Sequence, residues 1–213
     1  MKRNNKLLFL STFFIVAFIL WTILISTVDV LTIGPNNSNV GFSTFNNYIR
    51  EIIGTNFILY VITDWLGLIP IFTALCFTIL GLCQLVKRKS LFKVDRDIIS
   101  LGIFYIVVIF VYVLFEYLVI NHRPVLINGY LEASYPSSTT MLVLTVMPTA
   151  IMQINYRIKN KTSNRLITLI IILFIVFMVV GRLISGVHWI TDIIGGILIS
   201  TGLVLLYRYI AFI

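Results

Sequence analysis

The stretch Gly181-Arg182-Leu183-Ile184-Ser185-Gly186-Val187-His188-Trp189-Ile190-Thr191-Asp192 stands between two long apolar runs. It places an arginine, a histidine and an aspartate where the flanking sequence is almost pure hydrocarbon. Ionisable residues in or beside membrane-spanning segments are expensive and mark functional sites. His188 and Asp192 are four apart, so a helix brings them to one face. An imidazole with a carboxylate behind it is a positioned nucleophile or base. Arg182 adds a planar guanidinium fork suited to clamping an anion.

The rest of the chain is consistent with a protein dissolved in a bilayer. Of its 213 residues, 59% are hydrophobic and 11% charged, where a soluble domain carries about 25% charge. Six apolar runs, 7–27, 56–86, 97–119, 137–154, 166–184 and 190–210, each reach or approach the roughly 20 residues that cross about 30 Å of hydrocarbon. Barrel-type alternation is absent, so the runs read as helices. The expected fold is all-α: an integral membrane six-helix bundle, a single membrane domain over residues 1–213. Run 56–86 exceeds one crossing. Asp64 is expected at its outer boundary with Trp65 as interfacial anchor, so that the crossing starts near Leu66. Pro148 is expected to kink the short run 137–154.

Basic residues set the orientation. Lys2, Arg3 and Lys6 precede the first run, Lys87, Arg88, Lys89, Lys93 and Arg96 follow the second, and Arg157, Lys159, Lys161 and Arg165 follow the fourth. With Arg208 these are 13 of the 16 Lys and Arg residues, which places both termini in the cytoplasm by the positive-inside rule. The net charge of +8 is then accounted for by these loops and anionic lipid, with no nucleic-acid partner required. The first run reads as a retained span, because no small-residue cleavage site follows it. Cys76 and Cys83 lack metal or redox spacing and read as packing residues. On the external side, Gly34-Pro35-Asn36-Asn37 marks turns. Phe42, Phe45, Ile49, Ile52 and Ile53 then recur at helical spacing, indicating a short external amphipathic helix that either lies in the outer interface or caps the bundle.

The same outer face collects further polar residues. The third run ends in Glu116, His122, Arg123 and Pro124. The fourth begins Tyr135-Pro136-Ser137-Ser138-Thr139-Thr140, a helix-start signal whose free N–H groups form an anion site. Two arginines, a helix N-terminus and a His–Asp pair describe a phosphate-sized pocket beside a nucleophile. Structural glue across helix ends and a small transporter are the competing classes, but no inverted repeat supports the latter.

These motifs resemble those of the type 2 phosphatidic acid phosphatase family, membrane lipid phosphatases related to vanadium haloperoxidases. The family pattern is Lys-x6-Arg-Pro, then Pro-Ser-Gly-His, then Ser-Arg-x5-His-x3-Asp. This chain has Glu116-x6-Arg123-Pro124, then Pro136-Ser137-Ser138-Thr139, then Gly181-Arg182-x5-His188-x3-Asp192. The resemblance implies that His188 attacks phosphorus and carries a phosphohistidine, and that Asp192 holds its other ring nitrogen. It also implies that Arg123, Arg182, Ser137 and Ser138 bind the phosphate. No metal or other cofactor is implied, since arginines neutralise the charge, and no obligate protein partner is evident. The implied setting is a bacterial plasma membrane, active-site face outward, with the lipid bilayer and a lipid phosphate or diphosphate as partners.

The departures sharpen the expectation. Thr139 replaces a histidine that protonates the leaving oxygen, and Glu116 replaces a lysine that binds phosphate. Glu116 pairs with Arg123, stays protonated by burial, or meets a cationic group on the substrate; His122 is a candidate replacement acid. A monoester expels an alkoxide whose parent pKa is about that of water, roughly 15.7, and protonation is worth about 10²- to 10⁴-fold. A diphosphate expels a phosphate monoester of second pKa about 6, which scarcely needs an acid. The expected substrate is therefore a phosphoanhydride, with polyprenyl diphosphate as the natural candidate. The alternative is a relative that binds a phosphorylated lipid without efficient turnover.

Overall fold

The computed structural model describes residues 5–212; Lys2 and Arg3, counted above in the topology, lie outside them. The chain folds as α1 (Asn5–Thr27), α2 (Ser43–Ile53), α3 (Phe57–Leu66), α4 (Leu68–Arg88), α5 (Arg96–Leu118), α6 (Ser138–Arg157), α7 (Lys161–Ile184) and α8 (Ile190–Ala211). Two single-turn 3-10 segments, Pro35–Asn37 and Leu91–Lys93, sit in the connections.

Among the described residues, five helical stretches are long and apolar enough to cross a membrane: Asn5–Thr27, Phe57–Arg88, Arg96–Leu118, Lys161–Ile184 and Ile190–Ala211. The long run 56–86 breaks at Gly67, with Asp64 in the last turn of α3. The fourth expected span, α6, is not among the five. It carries Thr140, Thr145, Thr149 and Gln153 on a buried face, which lowers its hydropathy. Its position inside the bundle explains this: α6 packs on α7, α8 and α4, so protein rather than lipid surrounds its polar side. Thr145 and Thr149 each return a hydroxyl to the preceding helical turn, which satisfies them without a partner. Pro148 lies inside a continuous helix.

The core forms around α8. Its Ile199, Leu203, Val204 and Tyr207 meet Phe18 and Ile25 of α1, Leu101, Phe104 and Val108 of α5, and Met141 of α6. The outward faces of the peripheral helices stay apolar, with Phe9, Phe13, Ile106, Phe110, Leu169 and Leu173 exposed. That is the surface a bilayer covers, and it needs no water-facing polar coat.

The bundle has two chemically distinct ends. At one, Arg157 of α6 pairs with Asp97 at 2.8 Å and Arg88 of α4 with Asp95 at 2.7 Å. The Arg88 guanidinium holds the Asp95 carboxyl below its ordinary range. At the other end converge the C-termini of α5 and α7, the N-termini of α6 and α8, and α2. The amphipathic α2 lies across this end as a strap. Asn46 donates to the Gly41 carbonyl at 2.7 Å and to Thr191 Oγ1 at 3.0 Å, and Arg50 stacks over the Trp189 ring. These contacts tie α2 to the bundle end, while Phe45 and Ile52 of its apolar set stay exposed.

Candidate active site

The turn between α7 and α8 builds the site. Gly186 has φ +66°, and a Cβ there would stand 2.0 Å from the Gly54 carbonyl; only glycine takes this left-handed turn beside the α2–α3 connection. The turn delivers His188 to the bundle end, 4% exposed. Its Nδ1 lies 3.1 Å from the Ser134 carbonyl oxygen and 3.8 Å from Asp192 Oδ2. Its Nε2 lies 3.4 Å from Arg123 Nη1. A carbonyl only accepts and a guanidinium only donates, so the proton sits on Nδ1 and the free lone pair on Nε2. Burial, then the charges of Arg123 and Arg182, push the His188 pKa well below its ordinary value. The ring is a neutral imidazole with its nucleophilic nitrogen turned to a guanidinium.

Asp192 is fully buried. Its Oδ2 accepts from the Trp189 backbone N–H at 2.9 Å and its Oδ1 from Asn121 Nδ2 at 3.3 Å. The Ser134 carbonyl is therefore the nearer acceptor for Nδ1, with the Asp192 carboxylate behind it. Asn121 was not singled out from the sequence. It is buried, and its Oδ1 also accepts from the Gly41 N–H at 3.3 Å, tying the α1–α2 connection to Asp192.

Both arginines are already paired. Arg123 Nε stands 3.0 Å from Glu132 Oε2. Arg182, 1% exposed, stands 3.7 Å from Asp64 Oδ1 and 3.4 Å from Thr63 Oγ1, over the Tyr60 ring at 5.0 Å. An arginine buried this deeply requires such partners. Gly181 permits them: a Cβ there would lie 2.8 Å from Thr63 Cγ2, so the serine of the family pattern would push α3 away from α7. An aspartate inside an apolar run was itself the signal for Asp64; Glu132 and Asn121, in a loop without periodicity, offered none.

The N-terminus of α6 supplies the third wall. The Ser137 N–H donates to the Asp192 carbonyl at 3.1 Å. The Ser137 and Thr140 hydroxyls are buried without a protein hydrogen-bond partner, which leaves them open to a water or a ligand. Ser138 lines two adjoining spaces. One is a cavity of about 240 Å³ bounded by Tyr112, Phe115, Glu116, Arg123, Glu132 and Tyr135 among others. The other is an apolar groove of about 520 Å³ between α4, α5 and α6, where Thr139 sits with Leu68, Ile71, Tyr105 and Leu142. Glu116 is exposed at the cavity. Of its three expected roles, burial is thereby removed, and the ion pair to Arg123 is made by Glu132. His122 does not line the cavity; its carbonyl accepts from Trp189 Nε1 at 2.8 Å. Neither His188 nor Arg182 lines it either; Arg123 stands between the imidazole and the open space. Among the described residues no three His, Cys, Asp or Glu side chains group to hold a metal ion.

The PAP2 superfamily model matches residues 97–212, which contain all three motifs. The chain belongs to the PAP2 superfamily. Its fold is similar to the crystal structure of the first transmembrane PAP2 type phosphatidylglycerolphosphate phosphatase from Bacillus subtilis, with a TM-score of 0.64, 16% identity, and 93% of this chain and 94% of that one covered. No curated protein sequence matches the chain. Family, fold neighbour and apolar helices make it an integral membrane protein, divergent from its superfamily at Glu116 and Thr139.

Proposed function

We propose that this PAP2 protein is a membrane lipid phosphatase that hydrolyses a lipid phosphate or diphosphate, with polyprenyl diphosphate as the preferred class, at the outer leaflet. The observation that carries the reading is the neutral His188, its proton held on Nδ1 by Ser134 and its Nε2 facing Arg123. In the proposed reaction Nε2 attacks phosphorus, an N–P bond forms and the P–O bond to the leaving group breaks. The resulting positive charge on the ring is met by the Ser134 carbonyl and Asp192. Water then attacks phosphorus, the N–P bond breaks, and phosphate leaves with His188 restored. Arg123, Arg182, Ser137, Ser138 and the free N–H groups of α6 would hold the phosphate oxygens.

Thr139 has no acidic proton to give a leaving alkoxide, so the site suits a leaving phosphate. Phosphate release by the purified protein in detergent, compared between a polyprenyl diphosphate and phosphatidic acid, tests this; equal kcat/KM values would sink the leaving-group argument. One observation favours a second reading, binding without turnover. Arg123 covers Nε2 and both arginines are paired to carboxylates, so a substrate must displace those contacts. Tight lipid-phosphate binding without phosphate release would establish it.

A further inference from the structure

The segment between α5 and α6 meets His188 from both sides of its ring. Residues 121–123 run antiparallel to 132–134: the Arg123 N–H donates to the Glu132 carbonyl at 3.0 Å and the Ser134 N–H to the Asn121 carbonyl at 2.9 Å. Successive side chains of an extended segment alternate in direction, so Asn121 and Arg123 both turn to the site and His122 turns away. Arg123 stands 3.4 Å from Nε2. Asn121, 1% exposed, serves the Nδ1 side, where the ring faces the Ser134 carbonyl at 3.1 Å and Asp192 Oδ2 at 3.8 Å. The Asn121 carbonyl also accepts from the Ser134 hydroxyl at 3.1 Å. Its side chain donates through Nδ2 to Asp192 Oδ1 at 3.3 Å and accepts through Oδ1 from the Gly41 N–H at 3.3 Å. A carboxylate only accepts and a peptide N–H only donates, so this place calls for a donor and an acceptor on one short side chain. An ionised carboxyl would set acceptor against acceptor, and a leucine of similar size would meet neither. The far end of the bridge is fixed as well. A Cβ on Gly41 would stand 1.7 Å from the Ile25 carbonyl oxygen, and the Gly41 carbonyl accepts from Asn46 Nδ2 at 2.7 Å.

We infer that Asn121 is a positioning residue of this reaction, holding with its side chain the Asp192 carboxylate and with its main chain the Ser134 carbonyl, the two acceptors that steady His188 Nδ1. This rests on the phosphohistidine reading above and adds to it a residue that acts through Asp192. As Nε2 bonds to phosphorus, positive charge spreads to Nδ1–H, and a carboxylate behind the ring lowers the energy of that state. Asp192 does so only while it keeps its charge and its direction. The Trp189 N–H pins its Oδ2 at 2.9 Å and Asn121 pins its Oδ1. Without the amide the carboxylate is free to turn, and a buried charge loses a donor. Because the bridge ends on Gly41, the same amide sets the α1–α2 connection against the start of α8.

The test is kcat/KM for polyprenyl diphosphate against pH, with the full-length protein purified in detergent and each variant divided by the wild type at the same pH. The division removes titrations common to both. Around Asn121 the groups concerned are Asp192, His188, Arg123 with its partner Glu132, Arg182 of α7 and the Tyr135 phenol, hydrogen-bonded to Thr22 at 2.7 Å, with Arg50 of α2 beyond Trp189. Asn121→Leu should lower kcat/KM about 10- to 10²-fold, the worth of one hydrogen bond to a buried charge. Added to Asp192→Asn it should cost little more, because both act through one carboxylate. Asn121→Asp carries a separate signature. Two adjacent carboxyls share one proton at acid pH, and that proton lets the new carboxyl donate to Asp192 Oδ1 and still accept from Gly41, as the amide does. At higher pH the proton leaves, two negative charges face each other, and the bridge breaks. The ratio to wild type should therefore be highest toward about pH 5 and fall about tenfold or more toward about pH 9. A ratio that is flat with pH, or no activity at any pH in a variant that unfolds at the wild-type midpoint, overturns the inference. So does a double variant whose two costs multiply; in each case wild-type turnover leaves the phosphatase reading in place. If either the leucine or the aspartate variant fails to fold, the other decides. No phosphate release by the wild type from polyprenyl diphosphate or phosphatidic acid would bring down the phosphatase reading and this inference together.

Discussion

His188 is held neutral by burial and by two neighbouring guanidiniums, so its nucleophilic form persists well into acid. The acid limb of kcat/KM, which reports the free enzyme, should therefore have no His188 transition near 6.5; a diphosphate substrate profile with a midpoint there would contradict the assignment. His188→Ala should lower phosphate release by at least about 10³-fold. Asp192→Asn should cost about 10²- to 10⁴-fold, by losing the charge behind the ring. Full activity of purified His188→Ala would falsify the nucleophile. Thr139→His restores an acid, and its effect should be selective: monophosphate turnover rises by up to about 10²- to 10⁴-fold while diphosphate turnover changes little. The measurement is the ratio of the two kcat/KM values, before and after substitution.

At the scale of elements, helix ends rather than helix interiors carry the chemistry, and small residues set how closely the ends meet. Gly181 lets α3 approach α7 so that Thr63 and Asp64 reach Arg182. Gly181→Ser should cost about 1–3 kcal/mol as overpacking against Thr63, seen as a lower unfolding midpoint in detergent. Adding Thr63→Ser removes the offending methyl, keeps the hydroxyl, and should recover most of the loss; no recovery would refute this account of the contact. The same scale explains what the sequence revealed. Residues close in sequence were the ones the sequence could relate: Pro136-Ser137 marked the α6 start, and the stretch from Arg182 to Asp192 was read as one unit, although His188 lies in the turn before α8 rather than on a shared helix face with Asp192, and the buried residues of α2 are Ser43 and Asn46 rather than its apolar set. The partners of the arginines were harder to see. Asp64, Tyr60 and Thr63 belong to another helix and Glu132 to a loop, and nothing local in the sequence brings them to Arg182 or Arg123. The run 137–154 was read as a span like the others, whereas α6 carries Thr140, Thr145, Thr149 and Gln153 on a buried face and is not among the five stretches apolar enough to cross a membrane.

For the whole molecule, the basic residues and the site separate to opposite ends. Arg88 and Arg157 cluster with Asp95 and Asp97 at one end, while Arg123 and His188 meet at the other. A surface of exposed apolar side chains lies between them. Moving Lys and Arg across a bilayer during insertion is strongly disfavoured, and on that ground we propose that the basic end lies in the cytoplasm. On that proposed orientation the site faces outward and reaches lipid phosphates of the outer leaflet. Cysteine labelling in intact cells tests the arrangement. With Cys76 and Cys83 replaced by alanine, Asn128→Cys on the exposed α5–α6 loop should react with a membrane-impermeant maleimide. Lys159→Cys, in the α6–α7 connection at the basic end, should react only after the membrane is opened. Reversed labelling would place the site in the cytoplasm and remove outer-leaflet lipids from its reach, whatever its chemistry.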